Sequence, residues 1–273
     1  MGYQGVEGSF SEEALTAFFG PDCPKRSYGE FEDVFAALQR REICYGVLPM
    51  ENSSTGAIVE VYDLLRAYEL YIVGEQYIGI NQNLLALPGT RLEQLREIYS
   101  HPQGFAQSSE FLKGHKNWQL TPYHNTAVSA QLVKRLGDPS KGAIASRRAA
   151  QLYGLEILAP EIENLKSNTT RFIVVGRELL PQEEGGPADK VSLEVSLDNR
   201  PGTLYRLLGY LAEKALNLVK IESRPTRGTP WEYIMYLDFE GDFHSPEVKT
   251  ALEKLRSDVA SLRVLGAYRK NNG

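Results

Sequence analysis

One stretch of the chain, residues 177–190, limits the fold more than any other feature. Its sequence, RELLPQEEGGPADK, combines acidic residues, a Gly-Gly pair and two prolines, which is typical of a linker between folded units. We place the linker at 179–189, so that residues 1–178 form a first unit and residues 190–273 form a smaller second unit. A chain of 273 residues is long enough for two domains, each with its own core.

The first unit alternates between helical and strand-like patterns. SEEALTAFFG predicts a helix with Ser11 as its N-cap and Gly20 at its end. STGAIVEVYDLLRAY predicts a further helix that begins at Ser54, while YGVLPM and TRFIVVG predict buried strands. This alternation predicts an α/β fold in which helices cover a sheet. Ligands in such folds bind beyond the carboxyl ends of strands, at helix N-termini.

The second unit contains four strand patterns and two helical patterns. KVSLEVSLD alternates apolar and polar residues, as a half-buried strand does. The segment from residue 199 to 217 instead carries Leu204, Leu207, Leu208 and Leu211 along one helical stripe. The resulting order is βαββαβ, the ferredoxin-like arrangement of four antiparallel strands with two helices on one face. Its free edges and open face favour pairing with a second copy.

Charge and composition exclude several classes of protein. The formal net charge is -5, whereas a nucleic-acid-binding surface would be basic. No apolar run approaches the roughly 20 residues of a membrane span, and the N-terminus lacks the pattern of a signal peptide. The cysteines and histidines do not have metal-ligand spacing. We therefore expect a cytoplasmic protein without a metal that contacts neither nucleic acid nor membrane.

Four polar clusters lie where strand patterns meet helical patterns in the first unit. They are GYQGVEGSFSE, LPMENSSTGAI, SHPQGFAQSSEF together with HNTAVSA, and SNTTRF. The glycines of the first cluster would let a ligand approach the backbone, although a tight turn with a helix cap explains them equally well. The cluster does not match GxGxxG, so a dinucleotide site is disfavoured.

Individual residues in the other clusters allow both functional and structural interpretations. Glu51 could act as an acid or base, while Asn52 to Thr55 could simply cap a helix. His101 could face a pocket or cap the end of a strand. Arg171 has a forked guanidinium suited to a carboxylate, and the alternative is an ordinary ion pair. From spacing alone we expect a polar cleft that binds a carboxylate, with the reaction left open.

Six motifs in this order resemble the prephenate dehydratases: YQGVEGSFSEEA, VLPMENSSTGAI, SHPQGFAQ, NTAVSA, GAIASRRAAQLYGL and NTTRF. The later segment PGTLYRLLGYLAEKALNLVKIESRP resembles an ACT regulatory domain. The resemblance covers nearly the whole chain. It implies a two-lobed, periplasmic-binding-protein-like (type II) catalytic unit followed by the ACT domain. We expect a monofunctional enzyme, because no chorismate mutase segment precedes the first motif.

The same resemblance implies the reaction. Prephenate would lose carbon dioxide and water to give phenylpyruvate, a carbon–oxygen lyase step of phenylalanine biosynthesis that needs no cofactor. The implied catalytic residues are Thr170, as donor to the leaving hydroxyl, Arg171, as carboxylate ligand, and Glu51. The implied substrate-binding residues are Asn52, Ser53, Gln103, Gln107, Thr126, Asn168, Thr169 and Phe172.

Regulation is also implied by the resemblance. Phenylalanine would bind between paired ACT domains of a homodimer or homotetramer that also pairs through its catalytic domains. The expected contacts are Asn199, Pro201, Gly202, Thr203, Leu204, Glu222, Ser223, Arg224 and Pro225. Gly202 would let the effector approach the backbone, and the helix start at Thr203 would hold its carboxylate. Many relatives have Gly-Ala-Leu-Val where this chain has Gly-Thr-Leu-Tyr.

Three alternatives remain open at this stage. An arogenate dehydratase would act on a substrate with an amino group in place of the keto oxygen. A binding protein of the same fold could sense a small carboxylate, and an ACT sensor could carry an inactive enzyme domain. The presence of Glu51, Thr170 and Arg171 disfavours the last two.

Overall fold

The computed structural model describes residues 1–179, 188–226 and 232–271. Most of the predicted linker therefore lies outside the described residues. The chain divides into two compact units, one formed by Met1–Leu64 and Gln76–Phe172 and the other by Leu65–Glu75 and Ile173–Asn272. The domain limits that we placed from composition stay a prediction.

The elements up to residue 179 alternate as expected for an α/β fold. The helices are α1 (Phe10–Phe19), α2 (Phe31–Gln39), α3 (Val59–Ala67), α4 (Pro102–Gln107), α5 (Ser109–Lys113), α6 (Thr126–Leu136) and α7 (Arg147–Tyr153). The strands are β1 (Gly2–Gln4), β2 (Arg26–Tyr28), β3 (Gly46–Asn52), β4 (Gly56–Ala57), β5 (Tyr71–Gly79), β6 (Asn83–Ala86), β7 (Glu97–Ser100), β8 (Gln119–Pro122), β9 (Lys141–Ala145), β10 (Glu156–Ala159) and β11 (Thr169–Gly176).

Two sheets organise the first unit. In one, the strand order is β11-β3-β1-β2, and β1 runs parallel to both β2 and β3. In the other, the order is β10-β6-β9-β7-β8. Strand β7 runs parallel to both β8 and β9, whereas β6 runs antiparallel to its neighbours β10 and β9. Apolar clusters cover both faces of this second sheet, one around Leu85 and Ala130 and the other around Leu84 and Ile98.

Two helix starts differ from the sequence prediction. The prediction that Ser11 is the N-cap of α1 is wrong. Ser9 has the extended backbone of a cap, and its side chain accepts a hydrogen bond from the Glu12 N–H. The helix predicted from Ser54 begins only at Val59. The residues between them form a turn and the short strand β4, which pairs antiparallel with the end of β3. The first helix therefore starts two residues earlier than predicted and the second starts five residues later.

The described residues between 190 and 268 confirm the predicted βαββαβ order. The elements are β12 (Lys190–Leu197), α8 (Thr203–Glu213), β13 (Asn217–Pro225), β14 (Tyr233–Glu240), α9 (Pro246–Asp258) and β15 (Ser261–Tyr268). The strands are antiparallel in the order β13-β14-β12-β15, and the beginning of β5 runs parallel to β15. The core lies between this sheet and the two helices, where Val191, Leu193 and Val195 of β12 are fully buried.

Candidate active site

The end of β3 and the start of β11 lie side by side in the first unit. The backbone N–H of Ser53 donates to the carbonyl oxygen of Thr169 at 2.8 Å, and the Thr169 N–H donates to Ser53 Oγ at 2.9 Å. Two of the polar clusters, ENSST and SNTTRF, are therefore brought together although more than 100 residues separate them in sequence.

Asn52 connects these two clusters through its side-chain amide. Its Nδ2 donates to Asn168 Oδ1 at 2.8 Å and to Thr170 Oγ1 at 2.9 Å, while its Oδ1 accepts from the Ser54 and Thr55 N–H groups. The surrounding donors and acceptors thus fix the amide orientation. Because Thr170 Oγ1 accepts from Asn52, the hydroxyl hydrogen of Thr170 remains available as a donor to another group.

Thr170 faces a cavity of about 370 Å³. This volume is in the range of small-molecule sites. The side chains at positions 170 and 172 share one face of β11 because residues alternate across a strand, and both line the cavity. The complete lining is Gln4, Ser9, Phe10, Ser11, Phe31, Pro49, Asn52, Thr55, Ile58, Ile80, Gln82, His101, Gln103, Gly104, Gln107, His124, Asn125, Thr126, Thr170 and Phe172.

The described lining contains no lysine, arginine, aspartate or glutamate. Two long helices instead begin at the cavity. α1 contributes Ser9 and Ser11 at its start, and α6 contributes its N-cap Asn125 with Thr126. The N-terminus of a helix carries a partial positive charge and unsatisfied N–H groups, which favour anions. The site can therefore accept anionic groups without a buried cation.

The short helix α4 adds further polar groups to the cavity lining. His101 is its N-cap, with Nδ1 accepting from the Gln103 N–H at 3.2 Å, and burial holds the pKa of His101 below its usual value. Gln103 Nε2 donates to Thr55 Oγ1 at 3.1 Å. A Cβ at Gly104 would collide with Ser100 Oγ, so glycine is what lets α4 lie this close to the end of β7.

Glu51 and Arg171 contact each other instead of lining the cavity. Arg171 Nη1 donates to Glu51 Oε1 at 3.0 Å, and the side chain of Arg171 is only 2% exposed. Arg171 lies between two cavity-lining residues of β11, so strand alternation turns it to the opposite face. The predicted substrate contacts would need Arg171 and Glu51 at the cavity, but neither residue is part of its lining. The Arg171 guanidinium instead contacts the Glu51 carboxylate.

Comparison with known proteins decides the family. The sequence profile of the family described as prephenate dehydratase matches residues 1–179, and the ACT domain profile matches residues 191–257. The chain belongs to the prephenate dehydratase family. The predicted family, with an α/β catalytic region followed by an ACT domain, is thus confirmed, as is the predicted class of enzyme, a carbon–oxygen lyase.

Two similar proteins carry the family's name, and one similar structure carries a different description. An Arabidopsis thaliana protein named arogenate dehydratase/prephenate dehydratase 1, chloroplastic, is 36% identical over 98% of this chain and 71% of its own length. A structure of the Arthrobacter aurescens prephenate dehydratase in complex with L-Phe has a TM-score of 0.88 at 30% identity, covering 99% of this chain and 90% of that one. A structure described as a novel type of quorum quenching acylase has a TM-score of 0.89 at 30% identity, with 99% and 98% coverage.

The cavity is lined by most of the substrate-binding residues predicted from sequence. Asn52, Gln103, Gln107, Thr126 and Phe172 line it together with Thr170. The other predicted residues, Ser53, Asn168 and Thr169, do not line it and instead hydrogen-bond around Asn52 and the β3–β11 junction. Their hydrogen bonds hold Asn52 and the adjoining strand ends in place.

The sequence interpretation missed several residues that line this cavity, including Phe31, Ile80, Gln82 and His124. The signal for Gln82 was the run of three amides, Asn81 to Asn83, between two apolar strand patterns. Such a run is unusual between buried strands and would have justified a candidate site there.

The predicted effector residues of the ACT domain fall on two elements. Asn199, Pro201 and Gly202 lie between β12 and α8, Thr203 and Leu204 begin α8, and Glu222 to Pro225 form the end of β13. Gly202 has a φ of 83°, in the left-handed region, and is the N-cap of α8. The Thr203 hydroxyl donates to the Arg200 carbonyl oxygen at 3.0 Å.

In residues 1–179, 188–226 and 232–271, no three histidine, cysteine, aspartate or glutamate side chains are grouped so that they could bind a metal ion. Every helix among the described residues is too short or too polar to cross a lipid bilayer.

Proposed function

We propose that the protein converts prephenate to phenylpyruvate, carbon dioxide and water at the cavity around Thr170. The observation that carries this proposal is the Asn52–Thr170 hydrogen bond of 2.9 Å, which leaves the Thr170 hydroxyl hydrogen free to be donated within a cavity lined by neutral groups. A donor held in place before the reaction is the arrangement that stabilises developing charge most effectively.

The reaction balances with the groups at this site. Prephenate is a dianion that loses its ring carboxylate as carbon dioxide, and the electron pair of the broken C–C bond enters the ring. The C–O bond on the opposite side of the ring breaks, and hydroxide leaves as the ring becomes aromatic. Thr170 is a weak acid, so its contribution is a hydrogen bond to the leaving oxygen rather than a full proton transfer in advance. Solvent supplies the proton that converts hydroxide to water.

The two carboxylates of prephenate would bind at the starts of α1 and α6. Ser9 and Ser11 begin one helix and Asn125 and Thr126 begin the other, so hydroxyls, an amide and backbone N–H groups are available for anions. Gln103 and Gln107 would position the ring between them. Arg171 would act through Glu51, because their ion pair holds β11 against the end of β3. The predicted catalytic contacts of both residues remain proposals.

The ACT domain would bind phenylalanine at the turn before α8 and the end of β13. The L-Phe complex of the Arthrobacter relative supports this effector. Val219 and Ile221 of β13, with Leu204 and Tyr205 at the start of α8, are exposed apolar side chains, and such surfaces favour a second copy. We therefore propose a homodimer or homotetramer, as predicted. The cytoplasmic location, single activity and lack of a cofactor stay predictions.

Arogenate is the second candidate substrate. It is favoured by the name of the Arabidopsis relative, which carries both activities. Arogenate has an ammonium group where prephenate has a keto oxygen, so the two substrates differ in one polar contact.

The test is the formation of phenylpyruvate from prephenate, which is monitored through the absorbance of phenylpyruvate in alkali. The formation of phenylalanine from arogenate is measured in parallel. The prephenate assay is run with and without phenylalanine. We expect turnover of prephenate that phenylalanine changes. A kcat/KM at least tenfold higher for arogenate would transfer the assignment to that substrate, and tight ligand binding without turnover would contradict an enzyme.

A further inference from the structure

Gln82 is a cavity residue with a rigid backbone. It follows β5 and directly precedes β6, and its side chain is only 2% exposed. Its backbone N–H donates to Glu163 Oε2 at 2.9 Å, and its carbonyl oxygen accepts from the Ile162 N–H at 2.8 Å. Because both backbone groups are held, the position from which the side chain reaches the cavity is fixed before any substrate binds.

The amide of Gln82 is only half satisfied. Its Nε2 donates to Gln107 Oε1 at 3.1 Å, and Gln107 lines the same cavity. Its Oε1 is buried and has no hydrogen-bond partner within the described part of the chain. Buried carbonyl oxygens without a donor are rare in folded proteins because desolvation is then uncompensated. A ligand that supplies a donor removes this penalty when it binds.

Prephenate offers one donor for this acceptor. Its two carboxylates and its keto group only accept hydrogen bonds, whereas its ring hydroxyl can donate. We propose that Gln82 Oε1 accepts the hydrogen of the ring hydroxyl, which makes Gln82 a substrate-contacting residue that the dehydratase reaction uses. This inference rests on the proposed function, since it takes prephenate as the substrate.

The contact would orient the group that leaves. The ring hydroxyl of prephenate can rotate about its C–O bond. When its hydrogen is bound to Gln82 Oε1, the lone pairs of the hydroxyl oxygen point in other directions and can accept from a second protein group. The Ile80 N–H donates to the Asn168 carbonyl oxygen at 2.8 Å, so the segment that leads to Gln82 lies against the segment that leads to Thr170. Gln82 and Thr170 line the same cavity. Gln82 thus accepts a hydrogen bond from the ring hydroxyl, and Thr170 donates one to it, before the C–O bond breaks.

The experiment compares Gln82→Met with the wild-type protein, using prephenate as substrate and phenylpyruvate as inhibitor. Methionine matches the length of glutamine but cannot accept this hydrogen bond well. We expect kcat/KM for prephenate to fall about tenfold, the size of one hydrogen bond between neutral groups. The inhibition constant of phenylpyruvate should not change, because the product lacks the ring hydroxyl. Gln119→Met, an exposed substitution on β8, is the matched control and should behave as wild type.

Each other outcome overturns the inference in a recognisable way. An unchanged kcat/KM for prephenate would show that the hydroxyl does not use Gln82. Equal weakening of prephenate and phenylpyruvate would show that Gln82 shapes the cavity and makes no hydroxyl contact. A loss at least tenfold larger for arogenate than for prephenate would assign the acceptor to the ammonium group.

Two further measures keep the test decisive. If Gln82→Met does not fold, Gln82→Asn keeps an amide and withdraws it by one methylene, and the same comparison is made. If the wild-type protein does not turn over prephenate, the proposed function itself fails. If the wild type is active and only the variants behave otherwise than expected, the proposed function stands and the Gln82 contact is rejected.

Discussion

Asn52 Nδ2 lies 2.9 Å from Thr170 Oγ1 and donates a hydrogen bond to it. The direction of this bond decides what Thr170 can do. A hydroxyl that accepts from one neighbour can donate its own hydrogen to another, whereas a hydroxyl that donates to its neighbour cannot. The backbone N–H groups of Ser54 and Thr55 hold Asn52 Oδ1 on the other side, so the amide keeps this direction.

Asn52→Asp tests the direction of that bond. The aspartate would accept from Thr170, and the threonine hydrogen would no longer be available to the leaving hydroxyl. We expect kcat for prephenate to fall about 100-fold or more, as for loss of one preorganised donor. Steady-state kinetics measure this, with the exposed Asn117→Asp as control. If kcat stayed within threefold of wild type, the Asn52 amide would not be what makes the Thr170 hydroxyl available as a donor.

Thr170→Val removes the hydroxyl and keeps the shape of the side chain. We expect the barrier to rise by about 2–4 kcal/mol, with most of the effect in kcat. Thr170→Ser should retain much of the activity because it keeps the hydroxyl. The two variants are compared with wild type by phenylpyruvate formation and by thermal unfolding. A valine variant with nearly full kcat would exclude Thr170 as the donor.

The sequence predicted the elements better than the site. The βαββαβ order was predictable because each strand and helix there has its own local periodicity, such as the alternation in β12. Gln103, Gln107 and Thr126 were also expected to converge, since all follow strand ends. These inferences need only the pattern of a segment and the general rules of α/β packing.

The rest could not be predicted from local patterns because it depends on tertiary contacts. Strand alternation separates Arg171 from Thr170, but the sequence does not say which face of β11 the cavity occupies. Gln82 was missed because its importance depends on Gln107, a partner 25 residues away. Asn52 was taken as a possible helix cap, although its amide instead joins a local turn to a strand distant in sequence.

Arg171→Met tests the role of the buried ion pair. The substitution leaves the Glu51 carboxylate without this guanidinium, and the side chain of Glu51 is 28% exposed. We expect the free energy of unfolding to fall by about 3 kcal/mol, the lower end for a broken buried pair. Denaturant unfolding measures it. Arg40→Met, at the exposed Arg40–Glu42 pair, is the control and should cost at most about 1 kcal/mol.

A different result for Arg171→Met would support the predicted contact of Arg171 with a substrate carboxylate. If stability were unchanged while KM for prephenate rose 100-fold, the guanidinium would have to reach a substrate carboxylate in the complex. Such a contact would require β11 to rearrange on binding.

His101 should produce an acid limb in the activity profile. Burial holds its pKa below the usual 6.5, so the ring is neutral at pH 7 and gains a proton only as the pH falls below that value. Protonation converts Nδ1 from an acceptor into a donor and breaks its bond to the Gln103 N–H. We expect kcat/KM to be constant above pH 6.5 and to fall below it. His101→Asn keeps a helix cap that does not titrate and should reduce this limb.

The same shift predicts a change in stability. A group whose pKa is lowered by folding contributes stability that is present above the unfolded pKa and is lost as the pH falls through the folded value. His101→Asn should therefore lose less stability than wild type between pH 6.5 and more acidic conditions. His124→Asn and His244→Asn are run beside it. An acid limb that persists unchanged in His101→Asn would contradict its assignment to His101.

Gly202→Ala tests the proposed phenylalanine site. Gly202 has a φ of 83°, which alanine adopts only with strain, and it begins α8 where the effector carboxylate would bind. We expect at least a tenfold higher phenylalanine concentration for half-maximal regulation, with kcat for prephenate unchanged. Gly209→Ala is the matched control, because Gly209 lies inside α8 with open space around an added Cβ. If both variants respond to phenylalanine as wild type does, the effector binds elsewhere, since strain at the start of α8 could not leave a contact there unaffected.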